Sequence, residues 1–468
     1  MTRRKLLKHG LYGTVAAGLS PALWVSGCSK LRSNKMPNIL FISIDTLRKD
    51  RCSVYGYHRD TTPNLRRLTD NGSIFDSAYA PTPTTGPTHA TMFTSLYPIT
   101  HQFKKNGVKL SKDYTTLAEH LNASGYQTAA VIGSFVLDSK FGFAQGFEFF
   151  DDKFEYSTAT CRIKHWAGIL VDEGFDQRAN ITTQKAINFL QRYREKDRPF
   201  FLFVHYFDPH SPYVPPEPFY SRFALQKNQP TPLEKYIALY DGEVAFADHG
   251  IGKLLGTLEY LDCKDDTLII VTSDHGEGLG QHGHIGHTIN VYEELVRIPL
   301  LFHWPKHIPR GRIINAPVEL VDLMPTIFDL IGITNDKSSF QGQSLSNALC
   351  NGSKLNLDRP VYLHRPYFKG VYVQVLYNKQ KWLKGEHFAI KAKNWKYIEA
   401  EEENTKELFD LNADPQELKN IYSSFPEKAT ELKTRLQKWK KENLRQSAGQ
   451  NTISDEDRKR LESLGYVN

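Results

Sequence analysis

The chain has 468 residues, 40% of them hydrophobic and 24% charged, a composition that supports a large buried core and excludes a disordered, collagen-like or coiled-coil protein. Its formal charge of +7 is small for this length, and its lysines and arginines are scattered except at the two ends, which argues against a nucleic-acid-binding surface. The five cysteines, Cys28, Cys52, Cys161, Cys263 and Cys350, show no CxxC spacing, which argues against a zinc knot.

In chain order, Arg3-Arg4-Lys5 heads an apolar run from Leu11 to Val25, followed by Val25-Ser26-Gly27-Cys28. Residues 1–28 read as an export segment: the arginine pair resembles a twin-arginine signal, and V-S-G-C resembles a bacterial lipobox whose Cys28 would carry a lipid. The run is short for a membrane span and contains Pro21. The expectation is an exported protein of the bacterial periplasm or cell surface, anchored to the membrane through lipidated Cys28, with 29–36 as linker.

Asn38 to Ile44 is a continuous apolar run that predicts a buried parallel strand and delivers Asp45 to its C-terminal end, where ligands collect in open α/β sheets. Thr62-Pro63 starts a helix that Gly72 closes. Ala80 to Pro98 is a Pro, Gly and Thr-rich loop running into a helix expected to begin near Thr88, with Thr85 at its centre. A helix start of this kind suits a reacting anion.

Downstream the pattern predicts a helix at 116–123, a strand at 128–132, a helix at 180–193 and a strand at 199–206. A long helix at 236–260 and a strand at 267–272 follow. Val244, Ile251, Leu254, Leu255 and Leu258 supply the long helix with an apolar face, which assigns Glu243 and Asp248 to its polar face. The strand at 267–272 ends in Ser273-Asp274-His275-Gly276-Glu277. Two strand ends carrying Asp45 and Asp274-His275, with the Thr85 turn, can converge into an oxygen and nitrogen cage for a divalent cation.

After residue 350 the chain shifts to short alternating runs at 361–364, 370–376, 388–390, 397–398 and 408–411, then a helix at 426–443 and a charged tail at 454–460 that reads as a solvated helix. The expected fold class is α/β: a large mainly parallel sheet flanked by helices over 37–350, and a smaller antiparallel sheet with a helix over 351–468.

With these segments in view, the chain resembles the sulfatase family of the alkaline-phosphatase-like superfamily. N-I-L-F-I-S-I-D-T-L-R is similar to its first metal-binding strand and S-D-H-G-E-G-L-G-Q-H-G-H to its second. Y-E-E-L-V-R-I-P-L-L-F, V-D-L-M-P-T-I-F-D-L-I-G-I and E-L-F-D-L-N-A-D-P-Q-E-L-K-N-I are similar to later family segments. The resemblance implies Asp45, Asp274 and His275 as ligands of one divalent metal, calcium first by family, with manganese or zinc as alternatives. It also implies that His210 and His287 contact the anion or the leaving group. A two-metal variant would draw on Asp208, His210 and His287.

The departures carry as much information. Where formylglycine sulfatases read C/S-x-P-x-R, this chain reads Thr85-Gly86-Pro87-Thr88-His89, so formylglycine is not expected and His89 replaces the arginine. The family's G-K-W-H-like segment is reduced to Gly133-Ser134-Phe135-Val136, and the acidic position after Asp45 is Thr46. A hydroxyl nucleophile needs a base or a metal to lower its pKa. Thr85 is therefore expected both as nucleophile and as metal ligand, with His89, Asn106 or His210 as donors to the substrate oxygens.

The expected function is metal-dependent hydrolysis of a sulfate or phosphate ester, on an anionic substrate that includes lipid or envelope polymer. The alternatives are a phospho-group transferase or phosphodiesterase acting on envelope material, and a non-catalytic anion-binding pseudo-sulfatase. Substrate choice is expected in the loops at 151–177 and 212–233.

Overall fold

Strand β1, Asn38–Ile44, owes its place at the centre of the fold to being apolar on both sides. Ile39 and Phe41 enter one core, while Leu40, Ile42 and Ile44 enter another on the opposite face. A strand buried on both faces belongs in the middle of a three-layer α/β structure. The computed structural model describes residues 36–154, 165–166, 169–170, 175–334, 338–375, 379–444 and 459. The export segment with Cys28, nearly all of the linker, Cys161, most of the 151–177 loop and the tail at 454–460, Lys459 apart, lie outside these residues. Among the described residues no helix is long and apolar enough to cross a membrane.

The other elements that build the larger, N-terminal part are α1 (Pro63–Thr69), β2 (Ser73–Phe75), α2 (Thr85–Thr94), α3 (Leu117–Ala123), β3 (Gln127–Val131), β4 (Phe149–Asp151) and α4 (Ala179–Asn188). They continue with β5 (Phe200–Tyr206), α5 (Pro232–Tyr260), β6 (Thr267–Ser273), β7 (Leu300–His303), β8 (Arg312–Ile314) and α6 (Leu323–Ile331). The sheet runs β8-β2-β7-β6-β1-β5-β3-β4. β1 pairs in parallel with both β5 and β6, β3 in parallel with β5 and β4, and β8 in parallel with β2. β7 runs antiparallel to β6 and β2. The sheet is thus mainly parallel, with one reversed strand.

Alternation sends Phe201, Phe203, Leu268 and Ile270 to the core covered by α2, α3 and α6, and Leu202, Val204, Ile269 and Val271 to the core under α1, α4 and α5. Each such fully buried side chain contributes about 1.5–3 kcal/mol of transfer free energy.

After residue 350, β9 (Val361–Val375), β10 (Lys379–Ala392), β11 (Trp395–Ala400) and β12 (Thr405–Asp410) form a four-stranded antiparallel sheet in sequence order. β9 and β10 are much longer than the short runs that alternation suggested, because they continue past register shifts between Arg365 and Phe368 and between Phe368 and Val371. Helix α7, Pro426–Asn443, lays Leu432, Leu436 and Trp439 on Phe388 and Ile390 of this sheet and on Tyr97 and Ile99 of the larger, N-terminal part.

Three boundaries differ from expectation. Helix α2 begins at Thr85 rather than Thr88, since Pro87 is tolerated in a first turn, where its missing N–H is not needed. Helix α5 begins at Pro232, where Thr231 and Glu234 form a capping box. The helix expected over 180–193 is α-helical to Asn188 and closes as a π turn at Phe189–Tyr193.

Candidate metal centre and active site

β1 and β6 are neighbours, with Ile44 opposite Ser273, so the next residue of each, Asp45 and Asp274, leaves the sheet at the same edge. Both are buried. Thr46 has φ of +55°, which turns the chain sharply after Asp45, and its N–H donates to Asp274 Oδ1 at 3.2 Å. The same Oδ1 accepts from the backbone N–H of His275 at 2.8 Å. Gly276 is required next: a Cβ there would lie 2.0 Å from the Glu294 carbonyl oxygen.

His275 Nδ1 lies 2.9 Å from the Gly276 carbonyl oxygen, which only a ring N–H can satisfy. The proton therefore sits on Nδ1 and the Nε2 lone pair faces the site. Nε2 is 3.2 Å from Thr85 Oγ1, 3.5 Å from Asp274 Oδ2 and 3.9 Å from Asp45 Oδ1. Asp45, Asp274 and His275 present ligand atoms within 4.8 Å of one another, and Thr85 sits at the first position of α2 against them.

Neither carboxylate oxygen of Asp45 has a hydrogen-bond partner, nor does Asp274 Oδ2. Among the described residues the ion-pair partners of Asp45 and Asp274 are imidazoles, with no lysine or arginine within 4.0 Å. Burial, followed by the charges of Asp274 and Glu277, raises the Asp45 pKa well above the usual carboxylate range. Buried carboxylates without partners are costly. This donor set of two carboxylates, one imidazole lone pair and one hydroxyl fits a divalent cation.

The start of α2 is organised by two side chains. Asn106, expected as a donor, is buried; its Oδ1 accepts from the Gly86 N–H at 2.8 Å, while its Nδ2 has no partner. With Pro87 lacking an N–H and Thr88 N–H bonded to Thr84 at 3.2 Å, most of the first turn is committed internally. His89 points behind the site and not toward a substrate: Nδ1 is 2.8 Å from the Thr85 carbonyl oxygen and Nε2 is 2.9 Å from Ser43 Oγ. It ties the backbone of Thr85 to β1.

On the open side, His287 lies tilted at 37° against His275 with ring centroids 4.5 Å apart and meets His210 at 5.1 Å. Burial lowers the pKa of His210 to about 3, with the neighbouring His287 adding to the shift, and lowers that of His287 to about 4. His287 Nδ1 lies 3.3 Å from Glu277 Oε1, and Glu277 Oε2 accepts from Tyr213 OH at 3.1 Å.

Three expectations are corrected here. Asp208 is not at the centre: it pairs with Arg178 at 2.7 Å and accepts from the Ala179 N–H, so the two-metal variant loses one of its ligands. Glu243 is fully buried and takes both ends of the same guanidinium at 3.0 and 2.9 Å; burial and the Asp208 charge push its pKa up to about 8. Asp248 is buried too, accepting the N–H groups of Asn64 and Leu65 at 3.0 Å each and so capping α1. Helix α5 is covered on its polar side by α1 and by the chain after β5, which periodicity cannot foresee.

His205 went unnoticed in the sequence because it is embedded in the apolar strand F-F-L-F-V-H-Y. Its register opposite Ser43 places it on the α2 side of the sheet. It is fully buried, and together with His89 and Asp274 it forms a second group of potential ligands.

The comparisons with known proteins bear on this arrangement. The family profile described as sulfatase matches residues 37–333. The chain belongs to the sulfatase family. A second profile, described as N-sulphoglucosamine sulphohydrolase, C-terminal, matches residues 280–446. Among curated relatives, an N-acetylglucosamine-6-O-sulfatase of Bacteroides thetaiotaomicron is 26% identical over 90% of this chain and 89% of the relative. A choline-sulfatase of Rhizobium meliloti is 26% identical over 82% of each.

Among solved structures, a complex with the substrate D-glucosamine-2-N,6-O-disulfate matches with a TM-score of 0.70 and 26% identity, over 87% of this chain and 98% of the other. The phosphonate monoester hydrolase of Agrobacterium radiobacter shares the fold, with a TM-score of 0.71 and 21% identity over 89% and 100%. This sulfatase-family chain is an ester hydrolase, and its substrate class is an anionic ester.

Proposed function

We propose that the chain is a metal-dependent hydrolase of phosphoesters bearing a single negative charge, phosphodiesters first, with Thr85 as nucleophile. The observation that carries the reading is the cluster of unpartnered buried oxygens of Asp45 and Asp274 around His275 Nε2, with the Thr85 hydroxyl 3.2 Å from that nitrogen. Asp45, Asp274, His275 and Thr85 would hold one divalent cation, which when bound lowers the pKa of a hydroxyl and screens the charge of an anionic ester.

Thr85 Oγ would then attack phosphorus, its proton released to solvent, and the Oγ–P bond would form as the bond to the leaving oxygen breaks. His89 and Asn106 hold the first turn of α2 in place for that attack. The unpartnered Asn106 Nδ2 supplies an N–H to an equatorial oxygen. His287, oriented by Glu277, and His210 lie on the open side, where their neutral imidazoles can take the proton that the water breaking the Oγ–P bond must lose.

Chemistry favours phosphorus over sulfur. A formylglycine hydrate expels sulfate by collapsing to its aldehyde; a sulfated threonine has no second hydroxyl and no such exit. Charge favours one negative charge over two, since Asp45, Asp274 and Glu277 are three buried acids around the site and one divalent cation offsets only two charges. The Arg3-Arg4 pair and the Val25-Ser26-Gly27-Cys28 segment support work outside the cytoplasm with a lipid anchor at Cys28, on envelope material.

The test is a parallel rate assay of the purified protein on matched aryl phosphodiester, phosphate monoester, phosphonate monoester and aryl sulfate, with and without added divalent metal, and with Thr85→Ala as control. Metal-dependent diester cleavage lost in the variant is the expected result. Preferential sulfate cleavage lost in the same variant would sink the argument against a threonine route to desulfation. Diester transfer to an added alcohol in preference to water would convert the hydrolase into a transferase.

A further inference from the structure

The buried imidazole of His205 has no part in the scheme above, yet it lies under the centre of the site. It is 0% exposed, and neither ring nitrogen has a hydrogen-bond partner. A neutral imidazole carries one N–H donor and one acceptor, and leaving both unsatisfied in a core costs several kcal/mol. Ordinary packing does not explain such a residue between Val204 and Tyr206, where an apolar side chain would fill the same space at no polar cost.

The surroundings name the missing partner. Strand register sets His205 opposite Ser43, two residues before Asp45 on the same face of β1. His205 Nε2 lies 3.6 Å from Asp45 Oδ2, just outside hydrogen-bond range, while the other Asp45 oxygen, Oδ1, faces His275 Nε2 at 3.9 Å. The neighbouring ring of His89 packs edge-on at 5.0 Å and has both nitrogens committed to Ser43 and Thr85, so it cannot serve His205. The two oxygens of Asp45 are thus divided: one toward the cation site, the other toward His205.

We propose that His205 is a positioning residue, whose Nε2–H donates to Asp45 Oδ2 and so turns Oδ1 toward the cation site. This rests on the metal-dependent reading above. A ligating carboxylate held from behind by a ring N–H is a general means of fixing ligand orientation, and loss of such a partner typically costs 10–100-fold in metal affinity. The motion required is a closure of a few tenths of an ångström, which ligation of Asp45 would supply.

The deciding measurement is equilibrium binding of Mn2+ to the chelator-stripped protein, read as cation affinity and cations per chain, for the wild type, His205→Leu and His205→Gln. Leucine fills the space without a donor, whereas glutamine keeps an N–H near the Nε2 position. The expected result is one cation per chain, affinity about 10–100-fold weaker in His205→Leu, and recovery to within about threefold in His205→Gln. The metal-free melting temperature, measured alongside, shows whether each variant is folded. If His205→Leu does not fold, the glutamine variant decides: near-native affinity supports the proposal and leucine-like loss from a folded protein overturns it.

Native affinity in a folded His205→Leu would overturn the inference while leaving the metal-dependent reading intact. Two cations in the wild type, one of them lost in His205→Leu, would also overturn it by making His205 a ligand. No uptake by the wild type would remove the metal-dependent reading and this inference together.

Discussion

Two groups of buried acids sit near the same edge of the sheet and are built in opposite ways. In one, Asp208 and Glu243 share Arg178, and Glu243 also accepts the Val214 N–H at 2.7 Å. In the other, Asp45 and Asp274 meet no lysine or arginine among the described residues, and three of their four oxygens have no partner. A satisfied ion cluster is a fastening that ties α4, the loop after β5 and α5 into one unit. An unsatisfied one stores free energy that a ligand can recover, so the contrast separates structure from function before any chemistry is invoked.

The contrast can be broken in several ways, the largest first. Thr85→Ala should reduce kcat/KM by about 10^4-fold or more while leaving the melting temperature unchanged, because the hydroxyl contacts only the unsatisfied group. Steady-state kinetics beside a thermal melt would check this. Arg178→Met belongs to the satisfied group and should cost about 3–5 kcal/mol of stability, read by urea unfolding, since it leaves two carboxylates facing each other.

Cation removal should act on the other group alone. A chelator should lower stability by about 2.7 kcal/mol relative to protein held at a hundred times the dissociation constant. Asp45→Asn should then do what no substitution in the Arg178 cluster can: in chelator it should stabilise the fold, by about 1–2 kcal/mol, while abolishing cation uptake. A destabilised Asp45→Asn protein would mean that the carboxylate is structurally bound after all.

The smallest effect sharpens the same contrast among imidazoles. His101 is buried like His205, yet its Nδ1 accepts the Phe103 N–H at 3.1 Å and its Nε2 bonds Thr91 Oγ1 at 3.1 Å. Burial lowers its pKa to about 3, against about 6.5 unfolded. The folded state therefore binds fewer protons between those values. The stability this residue contributes is fully present above about pH 6.5 and is lost as pH falls toward 3, at up to about 1.4 kcal/mol per pH unit. His101→Gln should flatten that acid limb of the unfolding free energy; an unchanged limb would show that other groups set it.

Continuous apolar runs identified β1, β5 and β6 because burial on both faces leaves no room for polar alternation, and the acid-bearing ends of β1 and β6 followed from them directly. Thr85 was legible through its spacing to Pro87 and His89. Glu243 and Asp248 were misread because a helical wheel shows only which face is polar. Whether that face meets water or a buried guanidinium depends on α1, α4 and a loop far away in sequence. His205 was invisible for the converse reason: within one strand, a lone histidine among Phe, Leu and Val carries no period of its own.

The sequence by itself determined the family, the mainly parallel sheet, the C-terminal antiparallel layer and which acids, imidazole and hydroxyl to look for at the candidate site. Those features are local: strand runs, strand ends and one turn. Tertiary structure alone decided which of the buried acids are satisfied and which are not, that His89 braces Thr85 from behind, and that His205 lies beneath Asp45. Register between β1, β5 and β6 sets those distances, and register is a property of strands paired across more than 150 residues of chain, which no local pattern encodes.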